Sequence, residues 1–244
     1  MQSYSTILIG SGFSSVGYAM GHENTLILEE QEIADTHFYL PLRSFRYAPY
    51  TPKTEEGRRL LGIFRELSLF SEEMQNTNGF ECALCRYLGD APVELLLKSR
   101  VVGREETLGR IRLRVATNEG ILTFTADRVI DTRASGRGER YTVLYQTQEP
   151  EAVAAALSAA RPDAVITPAF YEGRYALHVD RRGEDENRIK LTLKQLFAGI
   201  GKAKVVYMAP IFASAPGNTP LCDDAYDNPI RAFEAGYLFE EDRI

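Results

Sequence analysis

An excess of basic charge is missing from this 244-residue sequence: 28 lysines and arginines stand against 34 aspartates and glutamates, a formal net charge of −6. A surface that neutralises nucleic-acid phosphates shows a basic stripe, and none is present. The arginine-rich patches at 133–140 and 181–182 are short, which reads as solvated loops. No nucleic-acid partner and no polybasic membrane surface are expected. An apolar run approaching the ~20 residues that span a bilayer is also missing, as is a basic start followed by an apolar leader core. Cysteine is scarce, and three is an odd count that suits a reducing, cytoplasmic compartment better than a disulfide framework. What is present is ordinary for a globular chain, 44% hydrophobic and 25% charged. The length suits one large domain or a cofactor domain carrying a smaller partner.

Residues 4–9 are a short apolar run entering a glycine turn, the pattern of a buried parallel strand. Residues 14–20 predict a brief helix and 25–29 (TLILE) a second strand ending in acid. An irregular stretch rich in aromatics and prolines follows at 38–52. Thr54 is placed to cap a helix running through Met74, with Glu55 and Glu56 at its positive dipole end. Leu60, Leu61, Phe64 and Leu67 give that helix one apolar face. Residues 93–99 predict a strand, and 110–117 with 121–125 a hairpin around Asn118-Glu119-Gly120. Residues 128–131 predict another short strand. Beyond a break at 135–140, antiparallel strands are expected at 141–147, 164–168 and 174–180, with a helix at 151–160. Residues 205–209 read as a buried strand, and Pro229 opens a final helix. The fold class expected is α/β: a Rossmann-like parallel sheet with a β-meander, plus a small antiparallel substrate sheet reaching about Leu193. Domain bounds follow, with a nucleotide-binding domain over 1–136 and 204–244 and a cap over 137–203.

The glycine turn reads GSGFSSVG at 10–17. Gly10 permits the tight turn and Gly12 a close backbone approach to a pyrophosphate. The helix that follows aims free N–H groups and its dipole at the phosphates, which brings Phe13 and Ser14 into the binding set. Ser15 stands where a third glycine usually allows close helix–strand packing; serine is small, and Gly17 can make a close contact instead. Glu29 lies about 20 residues after the first glycine, where an acid bonds a ribose hydroxyl, and its neighbour Glu30 can substitute. The turn alone leaves open whether the dinucleotide is FAD or NAD.

Four segments resemble the large FAD-dependent oxidoreductase superfamily, the glutathione-reductase and p-hydroxybenzoate-hydroxylase type. They are ILIGSGFSSVGYA with its trailing LILEE, VELLLKSRVVG, the hairpin leading into ADRVIDTRASG, and VVYMA followed by PGNTPLCDDAYDNPIRAFEAG. They occur in the expected order and cover most of the chain. The resemblance implies FAD, with its pyrophosphate at Gly10, Gly12 and Ser15, its ribose at Glu29 and its adenine at Val101. It places Thr132 or Gly136 near the cofactor in the returning strand. Asn228 and Ile230 would flank the isoalloxazine at the last helix, whose N-terminus favours negative charge on the reduced ring. It further implies that residues 173–180 belong to a substrate sheet, as in the hydroxylases and lycopene cyclases. No second GxGxxG occurs, so electrons are expected from free reduced nicotinamide, another protein or the substrate itself.

Catalytic candidates are His37, His178, Arg43 and Arg46: the histidines as acid–base groups or hydrogen-bonded structure, the arginines as a carboxylate clamp or surface pairs. Cys82 and Cys85 form a CxxC, read as two small apolar residues in a core rather than a redox pair. Cys222 reads as incidental, and Asp223, Asp224 and Asp227 as a solvated, helix-capping run with no metal. Three functions stay open. One is an FAD-dependent oxidoreductase acting on a small organic substrate, one a nicotinamide-binding reductase, and one a non-catalytic flavoprotein-like subunit that binds a partner protein.

Overall fold

The computed structural model describes residues 2–34, 49–71, 74–107, 109–133, 140–181, 183–211, 221–223, 226 and 228–240. His37, Arg43, Arg46, Gly136, Asp224 and Asp227 lie outside these.

The first strand, β1 (Gln2–Ile9), runs into the glycine turn and helix α1 (Phe13–Gly21), and β2 (Thr25–Leu28) returns beside it. Helix α2 spans Glu55–Glu66 and α3 Phe80–Leu88. Strand β3 (Glu94–Leu96) is followed by the meander β4 (Arg100–Thr107), β5 (Arg110–Thr117) and β6 (Gly120–Asp131). These strands form one sheet in the order β3-β2-β1-β6-β5-β4. The β3, β2, β1 and β6 neighbours are parallel, and β6, β5 and β4 antiparallel. Successive residues of β1 point to opposite faces: Leu8 joins a core with α1, α2, α3 and the last helix, α6 (Pro229–Tyr237), while Ile7 packs against the meander residues Leu113, Val115 and Phe124.

Helix α1 and α6 meet almost backbone to backbone. A Cβ at Gly17 would collide with the Phe233 carbonyl, and one at Gly236 with the Ser14 carbonyl. Gly17 thus does make a close contact, but with a helix and not with a strand.

The second sheet is built from β7 (Arg140–Thr147), β8 (Val165–Pro168), β9 (Arg174–Asp180) and β10 (Ala203–Ile211), ordered β10-β7-β9-β8 and antiparallel throughout. Helices α4 (Pro150–Ala160) and α5 (Glu186–Ile200) cover one face, burying Val153, Leu157, Ile189, Leu193 and Phe197 against Tyr141, Val143, Tyr145, Leu177 and Val179. The other face carries Leu144 and Ala176, which pack with Met74 from the chain after α2. There the phenol of Tyr171 accepts from the Asn76 amide at 3.1 Å.

Several elements differ from their sequence patterns. α2 stops at Glu66 instead of Met74, because Ser68 turns left-handed at φ 53° and Phe70 then bridges to Gln75. The two strands expected at 121–125 and 128–131 are one continuous β6, paired on one side with β5 and on the other with β1. The strand expected over 93–99 is only Glu94–Leu96, since Lys98 is left-handed at φ 51°. Residues 205–209 belong to β10, a partly exposed edge strand of the second sheet and not a buried strand of the first. α5 has no counterpart among the expected elements; Asp185 caps it through its carboxylate and Gly201 closes it at φ 68°.

Candidate functional site

Register sets the geometry of the site. Ile9, Leu28 and Asp131, the last residues of β1, β2 and β6, lie side by side, so Gly10, Glu29 and Thr132 emerge together from the C-terminal edge of the parallel strands. That edge, in an open α/β sheet, is where ligands bind. Gly10 takes φ 111°, a conformation that L side chains rarely adopt, and its N–H donates to the Leu28 carbonyl at 2.8 Å. Thr132 is buried beneath the turn. Its hydroxyl reaches the carbonyls of Ile9 (3.0 Å) and Gly10 (3.2 Å) and lies 2.8 Å from the Ser15 hydroxyl. Ser15 therefore fills the third-glycine position as a polar partner of Thr132, which explains how the turn holds its shape without that glycine.

Glu29 is buried, and one carboxylate oxygen accepts from the Ser11 N–H at 3.0 Å and the Ser11 hydroxyl at 2.8 Å. Its second oxygen accepts from the Gln31 N–H at 2.9 Å. Ser99, not singled out in the sequence, bonds the backbone on both sides of Glu29, linking β2 to the turn before β4. Val101 lies just beyond, in β4, opposite Val115 and partly buried with the meander core.

The N-terminus of α1 holds the site's least expected feature. Its N-cap residue, Gly12, has no side chain with which to cap it, and the helix's first turn is completed from 210 residues away in sequence. The Asp223 carboxylate accepts from the Phe13 N–H at 2.7 Å, the Ser14 N–H at 2.8 Å and the Ser14 hydroxyl at 2.5 Å. Ser14 Oγ also contacts the Leu221 carbonyl at 2.5 Å, and Leu221 itself is buried in the core of the first sheet. Asp223 is 1% exposed, which corrects its reading as part of a solvated run: it does cap a helix, but α1 and not α6. A Cβ at Gly12 would come within 2.5 Å of its carboxylate, so only glycine admits this approach. Burial and the Asp223 charge push the Tyr226 phenol above its ordinary pKa.

Arg133 completes the edge. Its guanidinium pairs with Asp131 at 2.7 Å and reaches past the glycine turn to Glu30 at 2.8 Å. The hydrogen bonds to Asp131 raise the pKa of the guanidinium further. The Arg133 Cγ lies 3.0 Å from where a Cβ of Gly10 would be. Glu30 is thus engaged in an ion pair across the end of β1.

The remaining predicted residues are dispersed. Asn228 caps α6, its side-chain oxygen accepting from the Ile230 and Arg231 N–H groups at 2.9 and 3.3 Å, and the Ile230 side chain is core. His178 sits in β9 directly opposite Thr142, with its Nδ1 2.8 Å from the threonine hydroxyl, on the sheet face away from α4 and α5. Cys82 and Cys85 are exposed on α3, so the expected core placement is overturned; Cys222 is buried next to Asp223. Among the described residues no group of three or more His, Cys, Asp or Glu could hold a metal ion, and no helix is long and apolar enough to cross a membrane.

In chemical kind the donors at α1, two helix N–H groups and a hydroxyl, fit a diphosphate. The space directly before them is filled by this chain's own carboxylate.

No protein-family model and no curated protein sequence matches the chain. Solved structures do match. A p-nitrophenol 4-monooxygenase from Pseudomonas putida superposes with a TM-score of 0.58 at 11% identity, covering 86% of this chain and 68% of that one. A geranylgeranyl bacteriochlorophyll reductase-like protein from Thermoplasma acidophilum gives 0.57 at 14% identity, over 97% and 77%. An aklavinone-11 hydroxylase, solved with FAD and aklavinone, gives 0.53 at 13% identity; 85% of this chain matches 53% of that one, so this chain spans about half its length. The α/β fold read from the sequence, a Rossmann-like parallel sheet with a meander and a separate antiparallel sheet, is therefore the fold observed, and these three structures share it.

Proposed function

We propose that this chain is an FAD-dependent oxidoreductase acting on a small organic molecule. The observation that carries this reading is the donor set at the N-terminus of α1, at the C-terminal edge of a parallel sheet and beside a buried glutamate closing β2. A helix N-terminus in that position is an anion site by construction, since its N–H groups lack intrahelical partners and its dipole favours negative charge.

In this reading the FAD diphosphate lies at Phe13 N, Ser14 N and Ser14 Oγ, with the adenosine ribose towards Glu29 and Glu30. A bound flavin supplies its own hydride acceptor, so no obligatory protein base is required. The chain's own residues hold and orient: Thr132 and Ser15 fix the turn, and Ser99 fixes the strand end carrying Glu29. The face of the second sheet bearing Thr142 and His178 is where substrate would sit. One structural neighbour is named a p-nitrophenol monooxygenase and another an aklavinone hydroxylase, which favours an aromatic substrate.

The test is a visible absorption spectrum of the purified protein before and after incubation with FAD and gel filtration. Flavin bands that stay with the protein support the reading; a folded protein that binds no FAD, with Asp223 in place or replaced by serine, refutes it.

A further inference from the structure

The N–H groups that open α1 are already satisfied by an anion, and that anion belongs to the protein. The Asp223 carboxylate makes three contacts of 2.5–2.8 Å there, is 1% exposed, and lies in a space that Gly12 leaves open only because it has no Cβ. It is held in place from both sides, by the buried Leu221 before it and by the Tyr226 N–H on its own carbonyl at 3.0 Å. Arg133 spans the same edge from Asp131 to Glu30, beside Gly10.

We propose that Asp223 is an internal stand-in for phosphate: a latch competing with any diphosphate ligand for the donors of α1, so that the ligand binds only when this carboxylate withdraws. The inference rests on reading the α1 N-terminus as a diphosphate site. Its physical basis is exclusion. Two anionic groups cannot share the Phe13 and Ser14 N–H groups, and a ligand oxygen at that position would meet the carboxylate at contact distance and with like charge. Apparent affinity is then the intrinsic affinity scaled by the fraction of molecules in which the latch is open. Asp223 thereby sets how readily the site loads without touching the reacting part of a cofactor.

The test compares wild type with Asp223→Ser, which empties the space, and Asp223→Asn, which keeps the shape and removes the charge. Inorganic pyrophosphate and FAD are the probes, with binding followed by calorimetry, flavin fluorescence and melting temperature. Asp223→Ser should bind pyrophosphate about tenfold or more tightly than wild type, with Asp223→Asn also tighter than wild type. Ligand-free Asp223→Ser should melt lower than wild type, and pyrophosphate should restore its melting temperature while leaving wild type nearly unmoved. If Asp223→Ser does not fold, Asp223→Asn decides by the same comparison. Pyrophosphate and FAD binding equally to all three proteins overturns the latch and leaves the flavin reading standing. A gain for pyrophosphate with no FAD bound by any of them supports the latch and removes the flavin reading.

Discussion

Replacing Glu234 by glutamine should destabilise the protein by about 2–4 kcal/mol at neutral pH, and the deficit should shrink in acid. Glu234 lies on α6 at 1% exposure. Its carboxylate accepts from the Lys53 N–H at 2.8 and 2.9 Å, the Thr54 N–H and the Thr54 hydroxyl at 2.6 Å each, and the Tyr50 phenol at 2.7 Å. The same Thr54 hydroxyl accepts from the Gly57 N–H and caps α2. The carboxylate is therefore the joint between the last helix and the start of α2. Hydrogen bonds to charged groups are worth about 1.5–3 kcal/mol each. The amide keeps one accepting oxygen and turns an NH₂ towards donors, so the loss is one to two such bonds. Burial pushes the Glu234 pKa up, but the Lys53 and Thr54 donors with the Tyr50 phenol outweigh it and hold the group below its ordinary 4.5. A depressed folded pKa gives stability that is complete above 4.5 and lost as pH falls through the folded value. Urea unfolding followed by circular dichroism, at neutral pH and again near pH ~3, measures the gap between the two proteins. A neutral-pH gap below about 1 kcal/mol, or one that stays constant into acid, would show that Glu234 is not this joint.

Gly17→Ala should cost at least about 2 kcal/mol in the same urea assay, because its methyl meets the Phe233 carbonyl, which is backbone and cannot rotate away; an unchanged midpoint would mean that α1 and α6 are not in contact. A thiol reagent should label Cys82 and Cys85 rapidly in the native protein and Cys222 only after denaturation, since the first two are exposed and the third is buried. Equal labelling of all three in native buffer would contradict that placement.

Much of the first sheet could be read from sequence because its signals are local. Apolar β1, the glycine turn and acid-ended β2 are contiguous, and the hairpin of β5 and β6 announces itself at Asn118-Glu119-Gly120. α5 is hidden because RIKLTLK, residues 188–194, alternates polar and apolar residues as a strand does. Its buried residues Ile189, Leu193 and Phe197 follow the helical spacing, and Leu191 is left exposed. β10 was misplaced because pairing partners are not encoded in a strand's own residues; its partner β7 was committed to the second sheet long before it in the chain. In the candidate site, Gly10 and Glu29 are legible through turn chemistry and a strand end, and Thr132 only through the family resemblance. Asp223 is not, because the groups it caps lie at the opposite end of the sequence, and a run of acids reads as solvated without that knowledge.

The placement of α6 orders how the molecule comes together. The glycine turn and α1 are made within the first 21 residues, yet the carboxylate that closes α1, the carbonyl against Gly17 and the joint to α2 come from residues 223–234. All the strands of the second sheet are synthesised in between. On the ribosome the apolar face of α1 therefore stays uncovered, and its first turn uncapped, until the residues that follow the second sheet emerge, so the two ends of this region can close on each other only after every strand of that sheet has been made.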